Sequence, residues 1–476
     1  MTIPYILPVG EQASADYTIL LGNKPAQAYS CRVSKVPYNT VWPGCQRPMD
    51  QTELASFISF DATRDGQPII MDVECAWDFD DYAVRPKSAH VEHQRDGRKI
   101  HLSFPGPGQY TLEPGGEHGT LHIFVNPAAS FDIRMDDPNL IYFGPGVHHP
   151  GRVALRSGST VYIDRNAVVY GYIEETGLSN IRVCGYGILD NSMEIRTDKG
   201  PNHSCMQLTK CRNVTVEGIV FRNACSWTAT CKACQNITFD RVKLIGMWRY
   251  NSDGIDLCNC QNAVIQNSFL RNFDDCIVLK GMPPHDNENV ENIVVENCVL
   301  WCDWGRALEI GAETCAPYMR DMRFSNCDII HTMHMAMDIQ NSGFALVTDL
   351  IFENIRVEYS KYTRKPIYQR DLELSYIDDG VPYLPYLMFA EIRPFYRDRL
   401  APGKPLGQNR NITFRDIAVL ADEGLSMPPS LFRGDSPDSD TRDIHIHNLT
   451  FNGRKITTLE EANVSYGANA CDAYID

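Results

Sequence analysis

Short runs of alternating apolar and polar residues recur along the chain from about residue 180 onward, and most of them open on an asparagine. They begin at Asn180, Asn213, Asn236, Asn262 and Asn292, at successive steps of 33, 23, 26 and 30 residues. Period-two alternation of β-branched residues predicts strands, and the asparagines and glycines between the runs predict turns. Because no helical pattern separates the runs, the spacing predicts an all-β fold built on a right-handed parallel β-helix.

The repeat continues through runs at Leu350, Asn411 and Ile444, with one interruption. The step from Asn354 to Asn411 is too long for one coil. It contains a segment rich in tyrosine, proline and arginine, at about 360–408, and we predict that this segment is a long loop on one face of the solenoid.

The first 130 residues lack the repeat and predict a separate domain. Alternating runs such as 17–21, 98–104 and 120–125 are separated by Gly/Pro turns. This pattern is typical of a β-sandwich. We therefore predict an N-terminal β-sandwich over 1–130 that caps the first coil of a β-helix over 131–476, since an open solenoid end must be covered.

Composition and charge restrict the classes of molecule that the protein can bind. The formal net charge of −16 argues against nucleic acid and anionic membrane surfaces. No run approaches the roughly 18 apolar residues of a membrane span. The amino terminus lacks the pattern of a signal peptide, so we expect a cytoplasmic protein, or a secreted one if a signal has been removed. The sequence indicates no oligomeric state.

The 17 cysteines are expected to be reduced, buried and structural. Two close pairs, Cys231 with Cys234 and Cys258 with Cys260, lie inside the repeats and have no partner at a zinc-ligand spacing. We therefore expect no metal site and no cofactor.

Three carboxylates form the most informative cluster. Asp253 stands in Asn-Ser-Asp-Gly, and Asp274 and Asp275 stand in Asp-Asp-Cys-Ile, so a step of 21 residues carries the chain almost once around the solenoid. Clustered carboxylates repel one another, which raises the pKa of at least one and leaves others ionised. Glycoside cleavage needs that division into acid and base. The residues alone do not assign the two roles, because like charges titrate as a set.

At these motifs, over roughly residues 140–360, the chain resembles the polygalacturonase-like glycoside hydrolases of family 28. The resemblance implies that Asp274 is the general acid, that Asp253 and Asp275 hold and deprotonate the attacking water, and that Asn251 orients the group. It also implies inversion of configuration in one displacement, without a cofactor.

Two positions depart from the family pattern. Gly305-Arg306-Ala307 stands where the family usually has Gly-His-Gly, and Asp338-Ile339-Gln340 stands where it has Arg-Ile-Lys. Because arginine and lysine there would hold a galacturonate carboxylate, the change favours a neutral sugar chain. In this respect the chain is similar to the dextranase-like family 49, which has a three-Asp site and an N-terminal sandwich.

Further residues are predicted to bind the carbohydrate substrate. They are Asn251, Lys280, Arg306, Asp338, Gln340 and Trp304. Arg306 has an equally simple structural interpretation, as a corner arginine paired with Glu309 or Asp303. Aromatic rings can stack on sugar faces, and the candidate platforms are Trp301, Trp304, Tyr318, Tyr386, Phe395 and Tyr396. For Asp190 and Asp256 the sequence favours a turn or ladder role.

The sequence therefore predicts an inverting glycoside hydrolase with a three-Asp site, acting on a neutral oligo- or polysaccharide. The first alternative is a polygalacturonase, and the second is a non-catalytic carbohydrate-binding β-helix. A polysaccharide lyase and a transferase or epimerase on the same solenoid also stay open.

Overall fold

The computed structural model describes residues 2–63, 67–128, 131–197, 199–200, 202–368, 376 and 380–476. Helix is confined there to one α-helical turn, Arg397–Leu400, and three short 3₁₀ turns, Pro43–Cys45, Met49–Gln51 and Lys87–Ala89. All other regular structure in the described ranges is β, so the all-β prediction is confirmed.

Two mostly antiparallel sheets form the N-terminal part. The strands of the first are Thr2–Pro4, Tyr29–Ser34, Thr52–Ala62, Tyr82–Arg85, Gly108–Pro114 and Leu121–Pro127. The strands of the second are Tyr17–Leu21, Lys24–Ala26, Ile69–Cys75, Glu92–Asp96 and Lys99–Phe104. Apolar side chains of both sheets enclose one core, which includes Phe60, Met71 and Leu102. The sandwich arises from the alternation of these strands, as in Tyr17–Leu21, where every second residue is buried.

The rest of the described chain forms a right-handed parallel β-helix of 32 strands. The first face consists of Leu140–Phe143, Thr160–Ile163, Ser179–Gly185, Arg212–Glu217, Gln235–Asp240, Gln261–Gln266, Val290–Glu296, Tyr318–Ser325, Leu346–Tyr359, Gln408–Asn409, Ile412–Ala421, Thr441–His447 and Ala470–Ile475. The second face consists of Gly146–Arg152, Ala167–Thr176, Ile188–Asp190, Val220–Arg222, Lys243–Ile245, Phe269–Asn272, Val299–Cys302, Asp328–His331 and Thr450–Phe451, the last extended by Arg454–Lys455. The third face consists of Met206–Thr209, Ala229–Lys232, Ile255–Cys258, Ile277–Gly281, Arg306–Thr314, Met335–Asn341, Tyr386–Ile392, Ser430–Arg433 and Val464–Tyr466.

The asparagines that open the repeats stack from coil to coil. Asn180, Asn213, Asn236, Asn262 and Asn292 all have positive φ, between 55° and 59°. Asparagine tolerates this left-handed backbone better than other non-glycine residues. From the second asparagine on, each side-chain N–H donates to the side-chain Oδ1 of the preceding asparagine, at 2.9, 2.9, 3.2 and 2.7 Å along the series. The ladder explains why the repeat is visible in the sequence.

The interior of the solenoid is filled by the apolar members of each run. Ile293 and Val295 point inward together, and Val294 between them is less buried. Cysteines contribute to this core, and all but Cys45 and Cys471 are buried. All 17 cysteines lie in the described ranges, and none of them forms a disulfide.

The N-terminal sheets pack along the flank of the solenoid, over several of its coils; that they also cap its first coil stays a prediction. Phe57 and Phe124 pack against the outer side of the second face, in one cluster that reaches from Val168 to Ile330. The second face therefore buries apolar side chains on both of its sides. A domain on the flank removes far more apolar area from water than a cap on one coil would.

Trp301 is fully buried in the seam between the N-terminal sheets and the second face. The guanidinium of Arg271 lies 3.9 Å from the centroid of its ring. The seam thus combines apolar packing with a buried cation stacked on an aromatic face.

The segment predicted as a long loop is only partly a loop. Tyr386–Ile392 is a strand of the third face and pairs with Met335–Asn341. Before it, Ile367–Tyr368 pairs in parallel with Tyr38–Asn39 of the N-terminal part. The residues 369–375 and 377–379 lie outside the described ranges.

The part of the chain that the structure describes contains no helix long and apolar enough to cross a membrane.

Candidate active site

Parallel pairing on the third face brings the predicted catalytic motifs side by side. Ile255 pairs with Ile277, and Ile277 pairs with Leu308 on the next coil. The predicted catalytic aspartates precede the first two of these strands and lie at the same edge of the face; they are Asp253, Asp274 and Asp275. The backbone N–H of Gly254 donates to the carbonyl oxygen of Asp275 at 2.7 Å, which ties the two motifs together.

Glycine makes room for the carboxylates. A Cβ at position 305 would lie 2.4 Å from Oδ1 of Asp275 and 2.6 Å from Oδ1 of Asp274. A Cβ at position 254 would lie 2.2 Å from the carbonyl oxygen of Cys276. Both glycines are thus required by close approach, and Gly305 holds two carboxylates against the same point of the backbone.

Arg306 is the principal cation of the site. Its backbone N–H donates to Oδ1 of Asp275 at 3.0 Å, and its guanidinium lies 3.3 Å from the same oxygen and 3.4 Å from Asp338. Asp303 pairs with Arg271 instead, at 3.3 Å. The simple corner pairing of Arg306 with Asp303 is therefore wrong, and the arginine bridges two carboxylates of the site.

The three aspartates differ in protonation. Burial, followed by the charge of Asp275, raises the pKa of Asp274 to about 7. Burial acts to raise the pKa of Asp275, but the charge of Arg306, a hydrogen bond from Glu309 and the charge of Lys280 together outweigh it and hold that pKa at about 2. Burial and the neighbouring carboxylates raise the pKa of Asp253 well above its usual value. Near neutral pH, Asp275 is therefore ionised and Asp274 can carry a proton.

Asn251 and Lys280 lie beside this group. Asn251 has φ of +51°, and its side-chain amide donates to Asp274 at 3.5 Å while its oxygen accepts a hydrogen bond from Arg196 at 3.3 Å. The ammonium of Lys280 lies 3.1 Å from Glu313. Lys280 is buried, so its predicted contact with substrate stays a prediction.

Asp338 and Gln340 are buried, which differs from the open substrate surface that we expected of them. The Gln340 amide donates to Asp338 at 2.6 Å, and Arg393 donates to the Gln340 oxygen. Burial raises the pKa of Asp338 to about 6, and Arg306 opposes that rise. Asp338 contacts Arg306 directly, at 3.4 Å, whereas Gln340 reaches Arg306 only through its hydrogen bond to Asp338.

Trp304 is buried as well, with 5% of its surface exposed. It packs with Phe273 and Trp42, and its ring centroid lies 4.6 Å from that of His334. Its face is therefore not free to stack on a sugar in this structure. Trp301 lies in the domain seam, so its predicted role as a platform is wrong. The other predicted platforms are partly or fully exposed at the surface, namely Tyr318, Tyr386, Phe395 and Tyr396.

Sequence reasoning missed two buried carboxyls beside the site. Asp256 lies on the strand Ile255–Cys258 and not in a turn, and both of its carboxylate oxygens lack a hydrogen-bond partner in the described structure. Burial, followed by the charge of Asp275, raises the pKa of Glu309 well above its usual value. A neutral Glu309 can therefore donate to Asp275, and this hydrogen bond contributes to the low pKa of Asp275.

The register of the third face explains why these two carboxyls escaped notice. Asp256 pairs with Val278, and Val278 pairs with Glu309, so the three residues share one column across successive coils. Alternation along each strand gives a face to every residue. The coils differ in length, so only the pairing register of the strands shows that Asp256 and Glu309 lie in the same column.

Part of the chain is similar to known glycoside hydrolases. Residues 157–370 match Glycosyl hydrolases family 28. The resemblance inferred from the two Asp motifs is thereby confirmed for this part of the chain. Among curated relatives, Polygalacturonase QRT2 of Arabidopsis thaliana is 25% identical over 221 residues, 43% of this chain and 47% of that protein. Probable endopolygalacturonase D of Neosartorya fischeri is 30% identical over 180 residues, 37% of this chain and 31% of that protein. The chain thus spans less than half the length of these relatives.

Solved structures share the fold over most of the chain. Dex49A from Penicillium minioluteum matches with a TM-score of 0.67 and 13% identity, over 99% of this chain and 96% of that one. The Family 28 Exopolygalacturonase of Yersinia enterocolitica matches with a TM-score of 0.53 and 13% identity, over 87% of this chain and 97% of that one. At these identities the likeness establishes the fold alone.

Proposed function

We propose that the protein is an inverting glycoside hydrolase whose catalytic residues are Asp253, Asp274 and Asp275. One observation carries the proposal. Of two consecutive aspartates on one coil, Asp274 has its pKa raised to about 7 while Asp275 has its pKa held at about 2. Acid–base cleavage of a glycosidic bond needs a protonated and an ionised carboxyl on either side of the bond. The family 28 match over 157–370 supports the same reaction class.

The proposed reaction is a single displacement. Asp274 gives its proton to the glycosidic oxygen as the bond from that oxygen to the anomeric carbon breaks. Asp275 accepts a proton from water as the water oxygen bonds to the anomeric carbon from the opposite side, and Asp253 helps to hold this water. Arg306 keeps Asp275 ionised between turnovers. These side chains supply the proton transfers of the displacement itself, and exchange with solvent water then reprotonates Asp274 and deprotonates Asp275 for the next turnover.

We further propose that the substrate is a neutral glycan, because the arginines of the site already lie in contact with carboxylates of the protein. Arg306 contacts Asp275 and Asp338, and Arg393 lies 3.7 Å from the buried Glu391. A sugar carboxylate entering here would approach an excess of buried carboxyl groups and lose hydration without gaining an unshared cation. Sugar hydroxyls can instead donate to these oxygens.

A galacturonide is the second candidate. The named relatives are polygalacturonases, and the side chain of Arg393 is 42% exposed near Gln340. Arg393 could turn toward a substrate carboxylate if its contact with Glu391 gave way. This route would replace the family's Arg-Ile-Lys by a cation from the following coil.

The test compares kcat/KM for matched trisaccharides, with dextran-derived glucose oligomers and other neutral oligomers set against galacturonic acid oligomers. Products are identified by NMR, which also shows the anomeric configuration first formed. We expect hydrolysis with inversion and a preference for a neutral oligomer. A preference for the galacturonide that Arg393→Gln abolishes would establish the second candidate. An unsaturated product would indicate a lyase, and sugar transfer without water would indicate a transferase.

A further inference from the structure

An open cleft of about 1200 Å³ lies away from the three aspartates, between the N-terminal sheets and the solenoid. Trp77 and Tyr82 line it from the N-terminal part, and Tyr362 and Glu423 line it from the solenoid. Its volume exceeds that of most small-ligand pockets, which are about 300–1,000 Å³. The cleft is thus large enough for several sugar units.

Two aromatic rings are fixed in the wall of the cleft and only half-buried. Trp77 packs edge-on against Tyr17, with 5.5 Å between ring centroids, and Gly119 allows the indole to lie close, since a Cβ there would be 3.1 Å from it. The hydroxyl of Tyr82 is 2.8 Å from His93. Rings held in this way lose little freedom when a ligand stacks on them.

Arg85, a buried cation in the floor of the cleft, is fully hydrogen-bonded within the protein. Arg85 bonds to Glu113 and Ser360 at 2.8 Å each, to Tyr362 at 2.9 Å, and to Glu358. Every branch of its guanidinium is therefore in use, and an anionic ligand could pair with it only by displacing one of these partners.

The rim of the cleft is acidic. Asp78, Asp80, Asp81 and Glu423 line it and outnumber the two lysines of the lining, Lys361 and Lys87, and Lys87 pairs with Asp422 at 3.2 Å. The side chain of Asp78 is 98% exposed. These carboxylates accept hydrogen bonds from hydroxyl groups and repel anions. Fixed aromatic rings beside hydroxyl-accepting oxygens are the combination that recognises an uncharged sugar chain.

We propose that this cleft, built around Trp77 and Tyr82, is a second binding site for a neutral glycan chain, separate from the site of cleavage. The choice of ligand class rests on the proposed function, whereas the cleft and its rings do not. Such a site would retain a polymer on the protein between cleavage events and would raise its effective concentration at the aspartates.

The experiment measures binding of the full chain to dextran, to mixed-linkage β-glucan and to polygalacturonate by affinity electrophoresis. Asp274→Asn is the background, so that the polymers stay intact. We expect retardation by at least one neutral polymer and none by polygalacturonate. Trp77→Ala combined with Tyr82→Ala should weaken that binding about tenfold or more, since two stacking contacts are lost.

Two control variants separate stacking from folding. Tyr82→Phe keeps the ring and should bind as tightly as the parent. Tyr474→Ala removes an aromatic that is 57% exposed elsewhere, on the first face of the solenoid, and should also leave binding unchanged. Unchanged neutral-polymer binding in the double variant, or no neutral-polymer binding at all, would overturn the proposal, as would tight binding of oligolysine in its place. If the wild-type protein cleaves no glycoside, the proposed function fails while these binding results still decide the cleft.

Discussion

At the scale of single residues, the site depends on how closely backbone and carboxylates approach. Gly305 lies against both members of the Asp274–Asp275 pair, and Arg306 follows it with a backbone N–H aimed at Asp275. The same short stretch therefore sets the position of the carboxylates and the charge of one of them. Substitutions here should alter catalysis more than folding.

Gly305→Ala tests whether this glycine sets the position of the two carboxylates. The added Cβ would meet Oδ1 of Asp275 at 2.4 Å and Oδ1 of Asp274 at 2.6 Å, so one or both carboxylates must move. A displacement near 1 Å can lower turnover by about 100-fold. We expect a loss of kcat on that scale, measured beside Gly106→Ala, where a Cβ meets nothing within 4 Å. Equal kcat in the two variants would show that Gly305 does not position the carboxylates.

The pH dependence of kcat/KM tests the protonation states assigned to Asp274 and Asp275. Asp274 must hold its proton, so activity should fall as pH rises through about 7. Asp275 must be ionised, so activity should fall only as pH approaches about 2. Arg306→Gln removes the cation that holds the pKa of Asp275 low, and the acid limb should move upward by about one pH unit or more. An acid limb that stays in place in a folded Arg306→Gln protein would contradict this role for Arg306.

At the scale of elements, the coils are joined by the asparagine ladder on the first face. Asn236 donates to Asn213 at 2.9 Å and accepts from Asn262 at 3.2 Å, and its φ is +58°. The residue therefore serves two purposes, hydrogen bonding between coils and tolerance of left-handed backbone.

Two substitutions at Asn236 separate these purposes. Asn236→Ala loses both and should lower the free energy of unfolding by about 2 kcal/mol, whereas Asn236→Gly keeps the backbone tolerance and should cost about 1 kcal/mol less. Urea unfolding measures both. Equal losses in the two variants would mean that the left-handed backbone carries no penalty at this corner.

At the scale of the whole molecule, a buried ionic network joins the N-terminal sheets to the solenoid. Arg85 and Glu113 come from the first sheet, while Glu358 and His331 come from the solenoid, and His331 lies 2.7 Å from Glu113. Burial acts against ionisation of Glu113, but Arg85 and His331 hold its pKa well below the usual value. The network therefore depends on all of its members.

Arg85→Met should destabilise the protein by about 3–5 kcal/mol, because two glutamates would stay buried without their cation. The measurement is urea unfolding, with Arg134→Met as the control, since the side chains of the exposed pair Arg134 and Asp136 are 77% and 76% accessible. Similar unfolding midpoints for the two variants would show that the seam does not depend on this network.

The solenoid could be predicted from sequence because each coil repeats the same local chemistry, an asparagine at a corner and an alternating strand. The position of the N-terminal sheets on the solenoid could not be predicted. Outward-facing apolar residues such as Val220 and Phe269 cannot be told from inward-facing ones in the sequence. The aspartate cluster could be predicted from its motifs. Glu309 and Asp256 could not be placed, because coils of unequal length hide which residues share a column until the register is fixed.

The most direct test of the central claim is turnover by Asp274→Asn on the substrate that the wild-type protein cleaves best. Asparagine keeps the shape of the side chain but has no proton to give to the leaving oxygen. We expect a fall in kcat of at least about 100-fold, with an unchanged unfolding midpoint, because a positioned general acid contributes on that scale. Near-normal turnover in a folded Asp274→Asn protein would contradict the claim that these three aspartates cleave a glycosidic bond.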